Sequence, residues 1–220
     1  GNFAPIADGL IKQGHEIYWV FHEMSPTAKN FQGEGKHALL YKKGDVNIEH
    51  EGFYEYLTQM AIENPGDVKA IFDKVTTLVP QIAKLLLLDN EELMHTLEQI
   101  SFDAAFVDGL LITKYLFLVP LRLGIPIITL SDGLEPWHAR VPWIPSFCPL
   151  HIQPLSDKMT FVERLQNFLL YIFLHYKGFQ APLPKEVIDK YSKYGTFSSG
   201  NDILRTTDLW ILTSDPVIDH

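Results

Sequence analysis

The sequence predicts an α/β fold, a parallel sheet flanked by helices, and three observations carry that expectation. A helical stretch stopped by Gly14 runs at once into the β-branched and aromatic Ile17 to Phe21, which is half of a strand–helix–strand unit. Phe102 to Val107, an apolar helical stretch and Pro126 to Leu130 then repeat strand, helix, strand, the spacing of a parallel sheet with a right-handed crossover. Composition agrees: with 220 residues, 46% of them apolar and 20% charged, the chain can both fill a core and cover it, so disorder is a poor reading.

The elements follow in order. Pro5 to Gln13 reads as a short helix with Ile6, Leu10 and Ile11 on one side and Gly14 as its stop. Ile17 to Phe21 is a buried strand, and the strand that would precede its helix falls before Gly1. His37 to Tyr41 is a weaker strand after a glycine-containing loop from Asn30 to Gly35. Phe53 to Glu63 reads as helical, Pro65-Gly66 separates it from Val68 to Leu88, and Pro80 predicts a kink or break there. Glu91 to Ile100 continues the helical character. Phe102 to Val107 is the second buried strand. After Asp108-Gly109 an apolar helix ends near Leu123-Gly124, and Pro126 to Leu130 is the third strand, closed by Ser131-Asp132-Gly133. Prolines 136, 142, 145, 149 and 154 punctuate an aromatic loop holding Trp137, Trp143 and Phe147. Thr160 to Tyr176 and Pro184 to Tyr194 read as helices, and Asp208 to Thr213 as a last strand.

Several function classes lack support. A net charge of −9 with scattered Lys and Arg does not suit a nucleic-acid surface, which needs clustered cations to displace counterions. Cys148 is the single cysteine, so no disulfide closes within the chain. Nine histidines form no tight ligand pattern, and no metal site is expected. Neither a Walker loop nor a Gly-x-Ser-x-Gly elbow occurs. The chain opens at Gly1 with no apolar leader, as though cut, and its longest apolar cluster, Phe168 to Leu174, is shorter than the roughly 20 residues of a spanning helix.

Ligands of an open α/β sheet bind beyond the carboxyl ends of its strands. Phe21-His22-Glu23, Asp108-Gly109 and Asp132-Gly133 fall on such ends. Asp108 lies between an apolar strand and an apolar helix, where it either caps the helix starting near Leu110 or presents a carboxylate to a ligand; Asp132 has the same two readings. The stretch Phe161 to Tyr176 carries Phe161, Leu165, Phe168, Leu169, Ile172 and Phe173. Packed core or interface is its first reading, and contact of 161–176 with a membrane surface its second.

Three segments together resemble the amino-terminal domain of the animal UDP-glucuronosyltransferases and related UDP-glycosyltransferases. Leu10, Gly14-His15-Glu16 and Tyr18-Trp19-Val20 resemble the family's L-x-x-x-G-H-E-V element, and Phe102 to Asp108 its F-D-V-x-x-x-D. The most specific block is Pro145-Ser146-Phe147-Cys148-Pro149 followed by Ser156-Asp157-Lys158-Met159-Thr160-Phe161-Val162-Glu163-Arg164 and Asn167, which resembles P-S-x-x-P … S-D-x-M-T-F-x-E-R-x-x-N. The resemblance implies a Rossmann-like sheet, the amino-terminal half of a GT-B fold, with residues 1–220 as one acceptor-binding domain lacking its first strand and the carboxyl-terminal UDP-sugar domain. It implies transfer of a sugar from a UDP-sugar to a small lipophilic acceptor, with a His base before Gly1 oriented by Asp108. Such a base is needed because a hydroxyl is a poor nucleophile until its proton is taken. The acceptor pocket is expected near Phe21, Leu110, Trp137 and Phe147. The donor UDP-sugar is expected to bind outside this chain, which would itself hold no cofactor and be inactive alone. The resemblance also implies an endoplasmic-reticulum membrane setting and leaves homo-oligomers open. The competing readings are a non-catalytic module that captures lipophilic ligands or pairs with relatives, and an unrelated doubly wound protein.

Overall fold

A computed structural model describes residues 3–23, 25–42, 77–109, 111–131, 143–150, 155–156, 158–176, 183–197 and 200–212. They divide into two compact units, Gly1–Ser101 with Leu183–Lys190, and Phe102–Pro182 with Tyr191–His220. Both are α/β with parallel strands.

In the first unit helix α1 (Phe3–Lys12) leads into strand β1 (Ile17–His22). Gly14, at φ 88°, closes the helix: its N–H bonds Ile11 O at 2.9 Å and the His15 N–H bonds Leu10 O at 3.1 Å. This paired pattern needs a left-handed residue, which glycine adopts without steric cost. Strand β1 pairs in parallel with β2 (Lys36–Tyr41), Ile17 opposite Lys36 and His22 opposite Tyr41. A short helix α2 (Pro26–Asn30) lies between them. It was not foreseen, although Ser25 followed by Pro26 is a helix-start signature. On β1, Trp19 and Phe21 stack with ring centroids 5.7 Å apart, and Phe3 and Phe31 meet them edge-on.

The helical residues 77–84 run through Pro80 without a break. The irregularity falls instead at Leu85–Asp89, a wider π turn, before α3 (Glu91–Glu98). Asn90, 6% exposed, explains it: its Nδ2 donates to Leu85 O at 2.8 Å and to Lys42 O at 3.2 Å, while its Oδ1 accepts the Lys42 N–H at 2.7 Å. One buried amide thus satisfies main-chain groups at the end of β2 and in the loosened turn. Phe53 to Glu63 and Pro65-Gly66 lie outside the described residues.

In the second unit β3 (Ala105–Asp108), β4 (Ile127–Ser131) and β5 (Leu209–Leu212) form a parallel sheet in that spatial order. Strand β3 begins later than the apolar run suggested. Its ladder starts where the Ala105 N–H meets Pro126 O at 2.9 Å, and Pro126 has no N–H to carry the pairing further back. The crossover from β3 to β4 is not one helix but a 3-10 stretch, Leu111–Phe117, continuing into α4 (Leu118–Leu123). Pro120 falls in the first turn of α4, where a residue without an N–H is tolerated. Gly124, at φ 68°, closes α4 with the same paired pattern as Gly14. Helix α5 (Phe161–Tyr176), the 3-10 turn Ser192–Tyr194 and the unforeseen α7 (Gly200–Leu204) complete this unit, while α6 (Lys185–Tyr191) belongs, but for Tyr191, to the first. Phe117, Leu118, Ile203 and Leu204 are fully buried and form part of the core of this unit.

Candidate functional site

The carboxyl edge of the β3–β4–β5 sheet is built around Asp108 and Gly109. Asp108 is the last residue of β3, opposite Leu130, and is half-buried behind the buried Val107. Its main chain is held on two sides. The Gly109 N–H donates to Leu130 O at 2.8 Å, and the Thr113 hydroxyl donates to Asp108 O at 2.8 Å. A Cβ on Gly109 would stand 2.7 Å from Thr129 Cγ2 and 2.9 Å from Ser131 Cβ, so only glycine lets the chain leave β3 this close to β4. Ser131, 6% exposed, ends β4 beside this point. The edge therefore carries a carboxylate and a hydroxyl on two neighbouring strand ends, the position where open α/β sheets take ligands. Thr113 and Ser131 were not singled out from the sequence; a Thr five residues after the strand-end Asp was the available signal, since Thr bonds readily to nearby main chain. Lys114, next to Thr113, is fully buried.

At the other end of the strands, Asp208 Oδ2 accepts the Ile127 N–H at 2.8 Å and the Asp208 N–H donates to Ile127 O at 2.9 Å. That pair fixes where β4 and β5 begin and faces away from the edge.

Of the four expected acceptor-contact residues, Phe21 and Phe147 are among the described ones, each in a different unit. Phe21 belongs to the first unit, 8% exposed within the cluster of Trp19 and Phe31. Leu110 and Trp137 lie outside the described residues, as do Asp132 and Gly133. Phe147 stands 64% exposed on a turn whose Phe147 and Cys148 N–H groups both bond Ile144 O. In the first unit a groove of about 250 Å³ opens along β2 beside Leu40, Leu93 and Thr96, bridged by the Lys42–Glu92 ion pair at 2.9 Å. It falls below the ~300–1,000 Å³ usual for small-molecule sites.

The turn carrying Phe147 and helix α5 form one structural device. Asn167, fully buried, accepts the Leu150 N–H at 2.9 Å through Oδ1 and donates through Nδ2 to Pro145 O at 2.6 Å and Cys148 O at 2.9 Å. At the start of α5, Glu163 Oε2 accepts both the Thr160 N–H at 2.7 Å and the Thr160 hydroxyl at 2.8 Å. The Glu163 N–H returns a bond to Thr160 Oγ1 at 3.4 Å, the reciprocal arrangement of a capping box. The Thr160 bonds hold the Glu163 carboxyl below its ordinary pKa, the main-chain N–H contributing most. Arg164 Nε donates to Met159 O at 3.0 Å. Thr160, Glu163, Arg164 and Asn167 are thus spaced as they are in order to start a helix and tie a proline-rich loop to it.

Comparison with known proteins puts a family to this arrangement. The profile described as UDP-glucoronosyl and UDP-glucosyl transferase matches residues 2–220. The chain belongs to this family. Mouse UDP-glucuronosyltransferase 1A7 is 28% identical over 238 aligned positions, covering 97% of this chain and 41% of the relative. Human UDP-glucuronosyltransferase 1A8 is 30% identical over 231 positions, covering 98% and 41%. Xenopus laevis UDP-glucuronosyltransferase 3A1 is 28% identical over 139 positions, covering 61% and 26%. The chain therefore spans about two fifths of the full-length curated relatives that it matches. No solved structure matches it significantly. The family is of the GT-B class, and the parallel α/β units agree with a UDP-glycosyltransferase. Among the described residues no cluster of three or more His, Cys, Asp or Glu could hold a metal ion, and no helix is long and apolar enough to cross a membrane.

Proposed function

We propose that residues 1–220 are the acceptor-binding part of a UDP-glycosyltransferase, which transfers a sugar from a UDP-sugar to a small lipophilic alcohol or phenol. The observation that carries this reading is the strand-end carboxylate of Asp108, standing at the ligand edge of the sheet in a chain that belongs to the UDP-glucuronosyl and UDP-glucosyl transferase family. In the proposed reaction a His outside this chain takes the acceptor's proton as the hydroxyl attacks the anomeric carbon and UDP leaves. The Asp108 carboxylate accepts the other imidazole N–H, fixing the tautomer and stabilising the imidazolium that forms. The UDP-sugar is held by residues outside 1–220. An endoplasmic-reticulum membrane setting belongs to the same proposal.

Asp108→Asn, made in the full reading frame that contains this chain, keeps the shape and removes the charge. Turnover of a UDP-sugar with a phenolic acceptor should fall about 100-fold or more, with the far-ultraviolet circular dichroism unchanged. Full turnover in that variant refutes the role.

A further inference from the structure

The peptide group that joins Asp108 to Gly109 is held at both of its polar ends. Its N–H, that of Gly109, donates to Leu130 O at 2.8 Å, and its carbonyl, that of Asp108, accepts the Thr113 hydroxyl at 2.8 Å. Thr113 lies in the 3-10 stretch Leu111–Phe117 and is 5% exposed. If packing were all that this position required, valine would fill the same volume with no hydroxyl to satisfy. What the hydroxyl adds is a fixed orientation for the peptide group at the end of β3, and so for the side chain that leaves the Asp108 Cα. Side chains alternate along a strand, and Asp108 projects on the side of its partner Leu130, away from the buried Val107.

We infer that Thr113 is a positioning residue for the proposed transfer: its hydroxyl, acting through the Asp108–Gly109 peptide group, holds the Asp108 carboxylate where it meets the imidazole of the base. The inference rests on the role proposed for Asp108. A peptide group bonded at both ends does not turn about the chain direction, and the Asp108 Cα lies in its plane. Gly109 closes the chain against β4 on the same stretch, since a Cβ there would stand 2.7 Å from Thr129 Cγ2. Such restraint matters because a misplacement of ~1 Å costs a reaction on the order of 100-fold. A strand end is also where main chain frays most readily, so a carboxylate carried there needs a tie that the ladder alone does not give. Charged groups on the elements packed here include Lys114, fully buried beside Thr113, and Asp202 with Arg205, paired at 3.5 Å on and just after α7. Changing Thr113 to valine leaves all three in place, so that substitution reads the hydroxyl alone.

Thr113→Val, Thr113→Ser and Asp108→Asn are made in the full reading frame that contains this chain. They are assayed with 1-naphthol and with UDP-glucose or UDP-glucuronate, whichever the unaltered protein turns over. Thr113→Val should lower kcat about tenfold and leave KM within about twofold, and Thr113→Ser should restore kcat. The acid limb of the kcat/KM profile should move as well. A well-placed carboxylate favours the imidazolium, so the base gives up its proton at a higher pH; in Thr113→Val the limb should shift to lower pH by about half a unit. A loss of folded protein would instead scale the rate equally at every pH. Thr206→Val removes a hydroxyl that bonds Ile203 O at 2.6 Å in the same unit and should change neither kcat nor the limb. If Thr113→Val does not fold by circular dichroism, Thr113→Ala, which also lacks the hydroxyl, is read in the same way. Unchanged kcat in Thr113→Val beside an impaired Asp108→Asn would overturn the inference and leave the role of Asp108 standing. A loss with no shift of the limb, a loss that Thr113→Ser does not restore, or an equal loss in Thr206→Val would overturn it too. Full turnover in Asp108→Asn removes the reading on which it rests, and the inference with it.

Discussion

Gly109 and Asn167 are small, uncharged residues whose replacement should cost more than their chemistry suggests. At Gly109 the obstacle is contact: a Cβ would fall 2.7 Å from Thr129 Cγ2 and 2.9 Å from Ser131 Cβ, atoms fixed close to the β4 main chain and unable to swing away. Gly109→Ala should therefore destabilise the protein by about 1–3 kcal/mol and lower its melting temperature by several degrees; an unchanged melting temperature would mean that the strand ends are not packed this closely. At Asn167 the cost is in unmet hydrogen bonds. Asn167→Ala strands the Leu150 N–H and the carbonyls of Pro145 and Cys148, and buried groups left unpaired cost about 1–3 kcal/mol each. A urea melt should show a loss of about 3 kcal/mol or more, against little change for the exposed Gln166→Ala one position earlier. Of these residues the sequence exposed Asn167 only as part of a resemblance, with no role attached. Its partners are main-chain atoms, which carry no residue identity to read.

Elements were legible where one residue decides the geometry and obscure where geometry depends on what lies opposite. Gly14 and Gly124 end their helices as expected, because a left-handed residue is needed and little but glycine supplies it. The start of β3 was not legible, since it depends on Pro126 of the neighbouring strand. Nor was the π turn at Leu85–Asp89, which depends on where the Asn90 amide finds partners. The capping box of α5 makes a prediction at this scale. Thr160 holds the Glu163 carboxyl below its ordinary pKa of 4.5 in the folded protein. Its contribution is therefore complete above that value and lost as pH falls through the lower, folded one. Wild type should melt above Glu163→Gln at pH 6, and the gap should narrow as pH is lowered from there toward 3. A gap equally wide at both ends of that range would show that the charge on Glu163 contributes nothing to the helix start.

For the molecule as a whole, family and fold class were legible because they rest on residues that build turns, caps and strand ends, and these recur wherever the fold does. The acceptor pocket stays a proposal, because loops set such pockets on a shared scaffold, and Leu110 and Trp137 lie outside the described residues. Phe21, chosen from its strand position, is enclosed by Trp19 and Phe31. Phe147, chosen from its loop, stands exposed on a turn that Asn167 ties down. The division of labour proposed for the chain nonetheless has a consequence that does not depend on naming the pocket. The match to mouse UDP-glucuronosyltransferase 1A7 covers 97% of this chain but only 41% of the relative. If its part of the work is acceptor binding, nothing within it has to recognise uracil or pyrophosphate. Its net charge of −9 also gives no general attraction for a doubly charged nucleotide. Equilibrium dialysis of residues 1–220 should then show saturable uptake of a lipophilic phenol such as 1-naphthol and none of UDP or a UDP-sugar at the same micromolar concentrations. Asp108→Asn should leave the phenol uptake within about twofold, because the carboxylate is assigned to orienting the base during proton transfer rather than to holding the acceptor. Saturable UDP uptake by this chain would place donor recognition inside it and undo the proposed division.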